Sequence, residues 1–202
     1  MKPSAIGVFG ICLGAMCGGC GPSEVFVSPT QVFEPKMRIA VLDFDWSPPT
    51  GTVNPGHTVQ SAPNAGKYVA DSLSSHLLQM DCFEVLERSR IAQLLREKDL
   101  TQADVVSRGM YKEVGQFLGV DYLVLGTVNT YTAWARGEFH GHIVSFTSRC
   151  VDVRSSKVVW TLGGRADIGP LGPLDPARGL ALILNDAIPK LRSGLKAHQR
   201  AN

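Results

Sequence analysis

The alternation of apolar and polar positions predicts a buried first strand followed by an amphipathic helix. The stretch MRIAVLDFD, Met37–Asp45, is a continuous apolar run with β-branched residues, which is typical of a strand covered on both faces. From Asn64 to Met80, apolar residues recur at the spacing of one helix face, in Val69, Leu73 and Leu77. We therefore expect the domain to open with a β-α unit.

The next segment predicts a short strand and two further helices. The strand is CFEVLER, and Ser89 is well placed to cap a following helix that ends near Lys98. A second helix is expected from about Met110 to Leu118, with Gly119 as its left-handed C-terminal cap. The apolar residues expected to face the core are Ile91, Leu94, Leu95, Val114, Phe117 and Leu118.

The hydrophobic periodicity then changes from that of helices to that of strands. Three strands are predicted between Asp121 and Ile168, joined by tight turns near Arg136-Gly137 and Arg154-Ser155-Ser156. A final helix is expected from about Pro176 to Leu191. Because helices must cover the apolar faces of a sheet, the pattern predicts an α/β fold. We expect a single-domain mixed-sheet sandwich in the order β-α-β-α-α-β-β-β-α, with an antiparallel C-terminal meander.

A long loop from Trp46 to Pro63 separates the first strand from the first helix. It holds four prolines and two glycines in eighteen residues, a composition that excludes a helix or a central strand. A loop of this length in a compact domain is usually functional, and a disordered connector is the alternative. We expect this loop and the start of the ERSR helix to form a partner-binding or ring-forming surface. Its candidate residues are Thr52, Asn54, His57, Gln60, Arg88 and Arg90.

Composition and charge argue against two classes of function. Hydrophobic residues make up 44% of the chain and charged residues 19%, which is ordinary for a globular protein, and the net charge is only +2. Lys and Arg are spread along the chain, so no basic surface for nucleic acid is predicted. No apolar run reaches the roughly 20 residues that a membrane-spanning helix needs.

The first twenty residues have the pattern of an export signal. After Lys2, the uncharged run Ala5–Met16 has about the length of the apolar region of a signal peptide. The residues Cys17-Gly18-Gly19-Cys20 resemble a lipobox, in which small residues precede a cysteine that is lipidated and becomes the new N-terminus. The alternatives are a plain secreted protein and a zinc or redox site, although no polar partner and no second C-x-x-C accompany the pair.

We therefore predict that the mature chain is anchored through a lipid at Cys20. Gly21 follows this cysteine, in place of the Asp that commonly retains lipoproteins at the inner membrane. This favours an outer-membrane lipoprotein that faces the periplasm. The expected division of the chain is a signal peptide at 1–19, a lipidated tether at 20–36, the α/β domain at 37–192 and a polar tail at 193–202.

Five stretches between Met37 and Leu191 carry a family resemblance. The most specific are the strand-to-helix junction Glu87-Arg88-Ser89-Arg90 and the run Gly119-Val120-Asp121-Tyr122-Leu123. Together the stretches resemble the family of the curli secretion channel subunit (CsgG-like), an outer-membrane lipoprotein of bacteria. The stretches are RIAVLDF, FEVLERSRIAQLLREKDL, LGVDYLVLGTV, VDVRSSKVVW and LILNDAIPKL.

The resemblance implies an α/β periplasmic domain, a lipid anchor and often a ring of subunits. In that channel, two long β-hairpins of each subunit enter the membrane, and the loop after the first strand narrows the pore. Here the first hairpin could only be Val128–Phe146, whose apolar face is thin. The second would have to lie in Leu162–Arg178, where prolines and glycines are unsuited to long strands. A pore built by this chain alone is therefore not predicted.

Two small groups of side chains could carry chemistry. Glu138, His140 and His142 alternate, so a strand would place all three on one face, as some metal sites do. Asp43 and Asp45 also share a strand face, and paired carboxylates can serve acid-base chemistry. A solvated hairpin end and a strand end that meets solvent explain both groups as well. With no G-x-S-x-G motif and no P-loop, we predict no catalytic residue, no metal and no cofactor.

The leading functional prediction is a non-enzymatic, lipid-anchored cell-envelope protein that acts as an assembly or secretion accessory. Its expected partners are envelope or secretion proteins, copies of itself in a ring, and the membrane through its lipid, but neither nucleic acid nor a small-molecule substrate. The alternatives are a pore-forming secretion channel subunit of the outer membrane, as in curli export, and a metal-dependent hydrolase. Whether Cys82 and Cys150 form a disulfide is left open, because sequence cannot supply the Cα separation.

Overall fold

The computed structural model describes residues 23–29, 36–47 and 58–200, which form eight strands and five helices. The strands are β1 (Glu24–Val27), β2 (Met37–Val41), β3 (Asp45–Trp46), β4 (Thr58–Ser61), β5 (Phe83–Val85), β6 (Tyr122–Arg136), β7 (Phe139–Asp152) and β8 (Val158–Ile168). The helices are α1 (Ala65–Leu78), α2 (Arg88–Glu97), α3 (Gln102–Ser107), α4 (Tyr111–Leu118) and α5 (Pro176–Arg200).

All eight strands belong to one mixed sheet, in the order β1-β8-β7-β6-β2-β5. β2 is parallel to both neighbours, so that Ile39 lies beside Val85 of β5 and Tyr122 of β6. β6, β7 and β8 are antiparallel, and β1 adds to the edge of β8. The two short strands β3 and β4 pair with later positions of β6. The predicted α/β fold with an antiparallel C-terminal meander is confirmed.

Helices cover the two faces of this sheet to different extents. α1 and α5 bury one face, and α2, α3 and α4 bury the other. On the second face the apolar residues of β6 and β7 end at Leu125 and Val151, and the next outward positions, Thr127 and Arg149, are not buried. The largest fully buried side chains of the first core include Phe146, Trp160, Leu73, Leu77, Ile183 and Leu184.

The ends of the predicted helices are correct in one case and wrong in another. Gly119 ends α4 in the left-handed conformation with φ 69°, which only glycine adopts without steric cost, and this confirms the predicted cap. The cap of α2 is Glu87 and not Ser89, since the Glu87 carboxylate accepts hydrogen bonds from the N–H groups of Ser89 and Arg90, each at 3.0 Å. Phe117 was expected in the core but is 39% exposed.

Four short elements were not predicted. β1 lies within the stretch expected to be a tether, and β4 lies within the expected loop of residues 46–63. α3 begins with a capping box in which the Thr101 and Asp104 side chains each accept a hydrogen bond from the other's backbone N–H. The last is the two-residue β3.

The final helix is longer than predicted and occupies most of the expected polar tail. α5 continues to Arg200, and Leu195 in its last turns is only 2% exposed. Pro189 lies inside this helix and removes one backbone N–H from its hydrogen-bond ladder. Over the described ranges, no helix combines the length and the apolar character needed to cross a bilayer.

Candidate functional site

The uncovered half of the second sheet face forms an open cleft of about 580 Å³. Its floor is made by β6, β7 and β8, and its rim by Glu24 of β1, Asp45 of β3 and one side of α3. The outward side chains of the floor carry hydroxyl and guanidinium groups, which can hydrogen-bond to a partner. The outward side chains of the floor are Thr127, Ser145, Thr147, Arg149, Thr161 and Arg165.

Gln102 forms one wall of this cleft, and its side-chain amide bonds to β6 in the way that the backbone of a neighbouring strand would. Its Nε2 donates a hydrogen bond to the Gly126 carbonyl at 2.9 Å, and its Oε1 accepts one from the Gly126 N–H at 3.2 Å. These bonds satisfy the backbone of β6 between the positions that pair with β2 and with β3. Gln102 is buried at 7% exposure and therefore has a structural role at the cleft's edge.

The guanidinium of Arg88 is used inside the subunit. It forms ion pairs with the carboxylates of Asp43 and Asp71, and its Nη1 donates to the Val41 carbonyl at 3.0 Å. Its side chain is only 14% exposed, so Arg88 joins the end of β2 to α1 and α2. Arg88, named above as a candidate for the partner surface, thus has structural partners within the subunit, and Asp43 is one of them.

The remaining candidates for the partner surface are only partly visible. Gln60 is exposed on β4, opposite Ala133 of β6, and Arg90 is exposed in the first turn of α2. The structure therefore places these two side chains on different elements. Thr52, Asn54 and His57 of the long loop, like Cys20 and the expected signal peptide, lie outside the described residues.

The alternating Glu138, His140 and His142 do not form a metal site. Glu138 lies in the turn before β7, and the Nδ1 of His140 lies 3.2 Å from the Glu138 backbone carbonyl oxygen. His142 is fully buried, and its Nδ1 contacts the Pro173 carbonyl at 2.7 Å. Within the described ranges, no group of three His, Cys, Asp or Glu side chains is placed to hold a metal ion. The alternative of a metal-dependent hydrolase therefore loses its proposed ligands.

The two cysteines of the domain are free thiols. Cys150 is buried at 1% exposure in β7, and burial raises its pKa well above the usual value. Cys82, just before β5, is half-buried, and burial raises its pKa as well. Raised thiol pKa values disfavour the nucleophilic thiolate, so neither cysteine is suited to catalysis.

A polar clamp fixes the start of the domain to α5. Ser23 donates hydrogen bonds to Asp186 from its backbone N–H at 3.3 Å and from its hydroxyl. Lys190 lies one helical turn after Asp186, and its Nζ contacts that carboxylate at 2.7 Å and the Ser23 carbonyl at 3.2 Å. The spacing of Asp186 and Lys190 is visible in the sequence, whereas the contact with Ser23 requires the fold.

The clamp predicts a low titration midpoint for Asp186. Hydrogen bonds from Lys190 and then Ser23 lower the pKa of this carboxyl from 3.8 to about 2. Because the folded pKa is depressed, the clamp contributes its full stabilisation above about pH 4 and loses it as the pH falls through about 2. We expect an NMR titration of the Asp186 carboxyl to have its midpoint near 2, and Lys190→Met to raise that midpoint more than Ser23→Ala.

Arg192→Met is the control for this titration, because Arg192 bonds the Gln79 carbonyl and not Asp186. Its Asp186 midpoint is expected to match that of the wild type. An unchanged midpoint in Lys190→Met would show that the clamp does not form in solution.

Solved structures with a similar fold include a dodecamer and a lipoprotein from bacteria. The chain is similar to the PelC dodecamer from Paraburkholderia phytofirmans, with a TM-score of 0.53 and 15% identity over 87% of this chain and 97% of that chain. A second crystal form of this dodecamer gives a TM-score of 0.50 and 14% identity over 87% and 96%. Lipoprotein GNA1162 from Neisseria meningitidis gives 0.53 and 15% over 78% and 99%. These likenesses show the fold.

The family comparison goes further than the fold. No curated protein matches the chain. The family model described as "Curli production assembly/transport component CsgG" matches residues 26–160, from β1 to the first half of β8. This range contains the ERSR junction and the Gly119–Leu123 run on which the sequence resemblance rests. The chain therefore belongs to the family of the curli production assembly and transport component CsgG.

Proposed function

We propose that this chain is a non-enzymatic, lipid-anchored protein of the cell envelope that serves as an assembly or secretion accessory. It acts through contacts with proteins and with copies of itself, and it does not line a pore. Family membership supports the link to envelope secretion.

The packing of the β6–β7 hairpin is the observation that carries the non-pore mode. Both strands are long, but β7 pairs with β8 from His142 to Val151, and β6 pairs in turn with β2, β3 and β4. Val144 and Phe146 on the hairpin's inner face are fully buried in the core with α1 and α5. Insertion into a membrane would have to separate the hairpin from these strands and expose that core.

The region of the expected second hairpin supports the same mode. Residues 162–168 belong to β8, and the chain then turns through a loop into α5 at Pro176. No strand pairs with β8 from this stretch in the part of the chain that the structure describes. A pore-forming subunit of the curli type would need two long hairpins, and this stretch offers one strand and one helix.

Planar bilayers separate the accessory from the pore. We expect the purified lipoprotein to give no stable large conductance, because the β6–β7 hairpin is held in the sheet. Mass spectrometry of the same preparation checks that the protein carries its lipid, and circular dichroism checks that it is folded. A bilayer without conductance then shows that folded, lipidated protein forms no pore. Reproducible channels from this chain alone would promote the alternative of a secretion pore.

Self-association in a ring is supported by two observations. PelC, which shares this fold, is a dodecamer. The long loop with Thr52, Asn54 and His57 begins beside β3 and returns at β4, so both of its ends are fixed on the sheet next to β6. We place the contact between copies on this loop, with Gln60 and Arg90 as exposed neighbours.

The loop contact is tested by replacing residues 52–57 with a Gly-Ser segment of equal length. This change leaves β4 intact, so we expect the melting curve to stay near that of the wild type and photo-crosslinking between copies in cells to be lost. A variant altered at the exposed Lys112 and Glu113 of α4 is the control and is expected to keep its crosslinks. Undiminished crosslinking after the loop replacement would mean that the loop only connects β3 to β4 and does not contact another copy.

A further inference from the structure

The turn that follows β8 contains a leucine whose backbone conformation and exposed side chain are both unfavourable for folding. The Gly172 N–H donates to the Gly169 carbonyl at 3.0 Å and closes a four-residue turn. Leu171, the third residue of this turn, has φ 72°, a conformation for which turns normally use Gly or Asn. Its side chain is also 71% exposed. A strained backbone that carries an exposed apolar side chain is a reason to look for a binding role.

Leu171 belongs to a group of exposed apolar residues at one end of the sheet. Leu174 in the same loop is 54% exposed, and Phe139, the first residue of β7, is 55% exposed. The end of β8 and the start of β7 lie together because Ile168 pairs with His142. We call Phe139, Leu171 and Leu174 the apolar edge.

The chain enters the domain close to this end. A Cβ built on Gly164 of β8 would lie 3.4 Å from the Cα of Ser23, and Asp186 holds Ser23 in place. Since β1 is antiparallel to β8, the chain enters β1 from the direction of Ile168. That end of β8 lies four residues, or about 13 Å, beyond Gly164.

This entry point limits how far a lipid on Cys20 can lie from the apolar edge. Cys20 comes three positions before Ser23, and three residues span at most about 11 Å. A lipid at Cys20 would therefore hold the membrane surface within about one to two nanometres of this end of the sheet. The connection is too short to act as a long tether.

The charges around the apolar edge do not favour a strongly charged partner. Three cationic and three anionic side chains surround this end of the sheet, and Arg165 is already paired with Asp167 at 3.3 Å. Electrostatic attraction is therefore small, and the contact would depend on apolar side chains. The six charged residues are Arg136, Glu138, Arg165, Asp167, Asp175 and Arg178.

We propose that the apolar edge rests on the membrane that holds the lipid anchor, with Leu171 and Leu174 in the boundary between headgroups and acyl chains. The inference builds on the lipidation of Cys20 in the proposed function. A short connection to the anchor and apolar side chains at the same end of the sheet together fix the orientation of the domain. The turn between β7 and β8, with Lys157, then points away from the bilayer.

The test uses the full lipoprotein in vesicles of phosphatidylethanolamine and phosphatidylglycerol. A nitrobenzoxadiazole label is attached to Leu171→Cys, in a Cys82→Ser background that removes the half-buried thiol. We expect spin-labelled lipid to quench this label and aqueous iodide to leave it bright. The matched label on Lys157→Cys, at the exposed far turn, is expected to show the reverse.

Flotation with the vesicles separates this proposal from the lipid anchor. Wild type that floats, with Cys20→Ser that stays behind, establishes the anchor, and the label at Leu171→Cys then decides the orientation. Quenching of that label by iodide would overturn the proposal while the anchor stands. Protection from both quenchers would also overturn it, in favour of a second copy or another protein on this edge. Equal flotation of Cys20→Ser would overturn the anchor itself.

The Leu171→Gly variant tests whether the leucine only stabilises the turn. Glycine accepts φ 72°, so we expect an unchanged or higher melting temperature. In the same variant, a label on Leu174→Cys is expected to lose quenching by spin-labelled lipid, because the edge has lost its most exposed apolar side chain. A lower melting temperature with unchanged lipid quenching would show that Leu171 stabilises the turn and does not contact lipid.

Discussion

Gly66→Ala is expected to lower the melting temperature by roughly 6–12 °C, which corresponds to about 3 kcal/mol in a domain of this size. Gly66 lies in the first turn of α1, where an added Cβ would be 2.0 Å from the carbonyl oxygen of Phe44. That oxygen belongs to the backbone and cannot rotate away, so α1 or the segment between β2 and β3 must move. Alanine gains about 1 kcal/mol in helix propensity, which is too little to offset the clash.

Gly169→Ala is the matched control for this change, since a Cβ there has no neighbour within 4 Å. We expect its thermal unfolding curve to overlay that of the wild type. Near-equal melting of Gly66→Ala and Gly169→Ala would mean that α1 does not begin against Phe44. The comparison matters for function because Gly66 packs the start of α1 against Phe44 and Trp46, the segment from which the proposed ring-forming loop departs.

Phe146→Ala is expected to destabilise the domain by about 4 kcal/mol, or roughly 8–16 °C in melting temperature. The Phe146 ring is fully buried in β7 and lies 6.2 Å from the ring of Phe44, measured between centroids. Removing it leaves a cavity between the sheet and the helices α1 and α5. Differential scanning calorimetry of both proteins measures the change directly.

The adjacent Thr147 provides the control, because its side chain points into the open cleft and is exposed. Thr147→Ala is expected to change the unfolding free energy by less than about 0.5 kcal/mol. Equal effects at the two positions would contradict the buried inner face of the β6–β7 hairpin. They would also remove the main argument that this hairpin stays paired in the sheet.

The strongly periodic parts of the chain were predictable because each buries a face of its own. The apolar spacing that predicts α1 is borne out by Val69, Leu73 and Leu77, which are fully buried. The change to alternation after Asp121 predicts the β6–β7–β8 meander, and Gly119 marks the end of α4. In these segments the local pattern and the final packing agree.

The short elements depend on partners that are distant in sequence. β1 and β4 have only four residues each, and they are strands because β8 and β6 offer them backbone hydrogen bonds. Both lie in proline-rich stretches, whose composition predicts loops, so neither strand was predicted. α3 is different, since Thr101 and Asp104 have the spacing of a capping box that was visible in the sequence.

The roles of several polar side chains noted in the sequence also depend on contacts between distant residues. Sequence spacing placed Glu138 and His142 on one strand face, but the turn begins one residue later than the alternation suggests, and α5 covers His142. Arg88 and Asp43 were each noticed for their charge, although only the fold brings them together across 45 positions. An ion pair between residues so distant in sequence neutralises two charges that appear unpaired when the sequence is considered alone.

The clamp between Ser23 and Asp186 also sets the order in which the chain can fold. The two residues are separated by 163 positions, and β1 pairs with β8 near the other end of the chain. A chain made from its N-terminus cannot dock β1 until β8 and α5 have been synthesised. Until then the segment that precedes Ser23 is joined to an unpaired strand, so the proposed cleavage and lipidation at Cys20 would have an accessible substrate before the domain closes. The topology thus leaves time for the proposed maturation of the N-terminus before the sheet is complete.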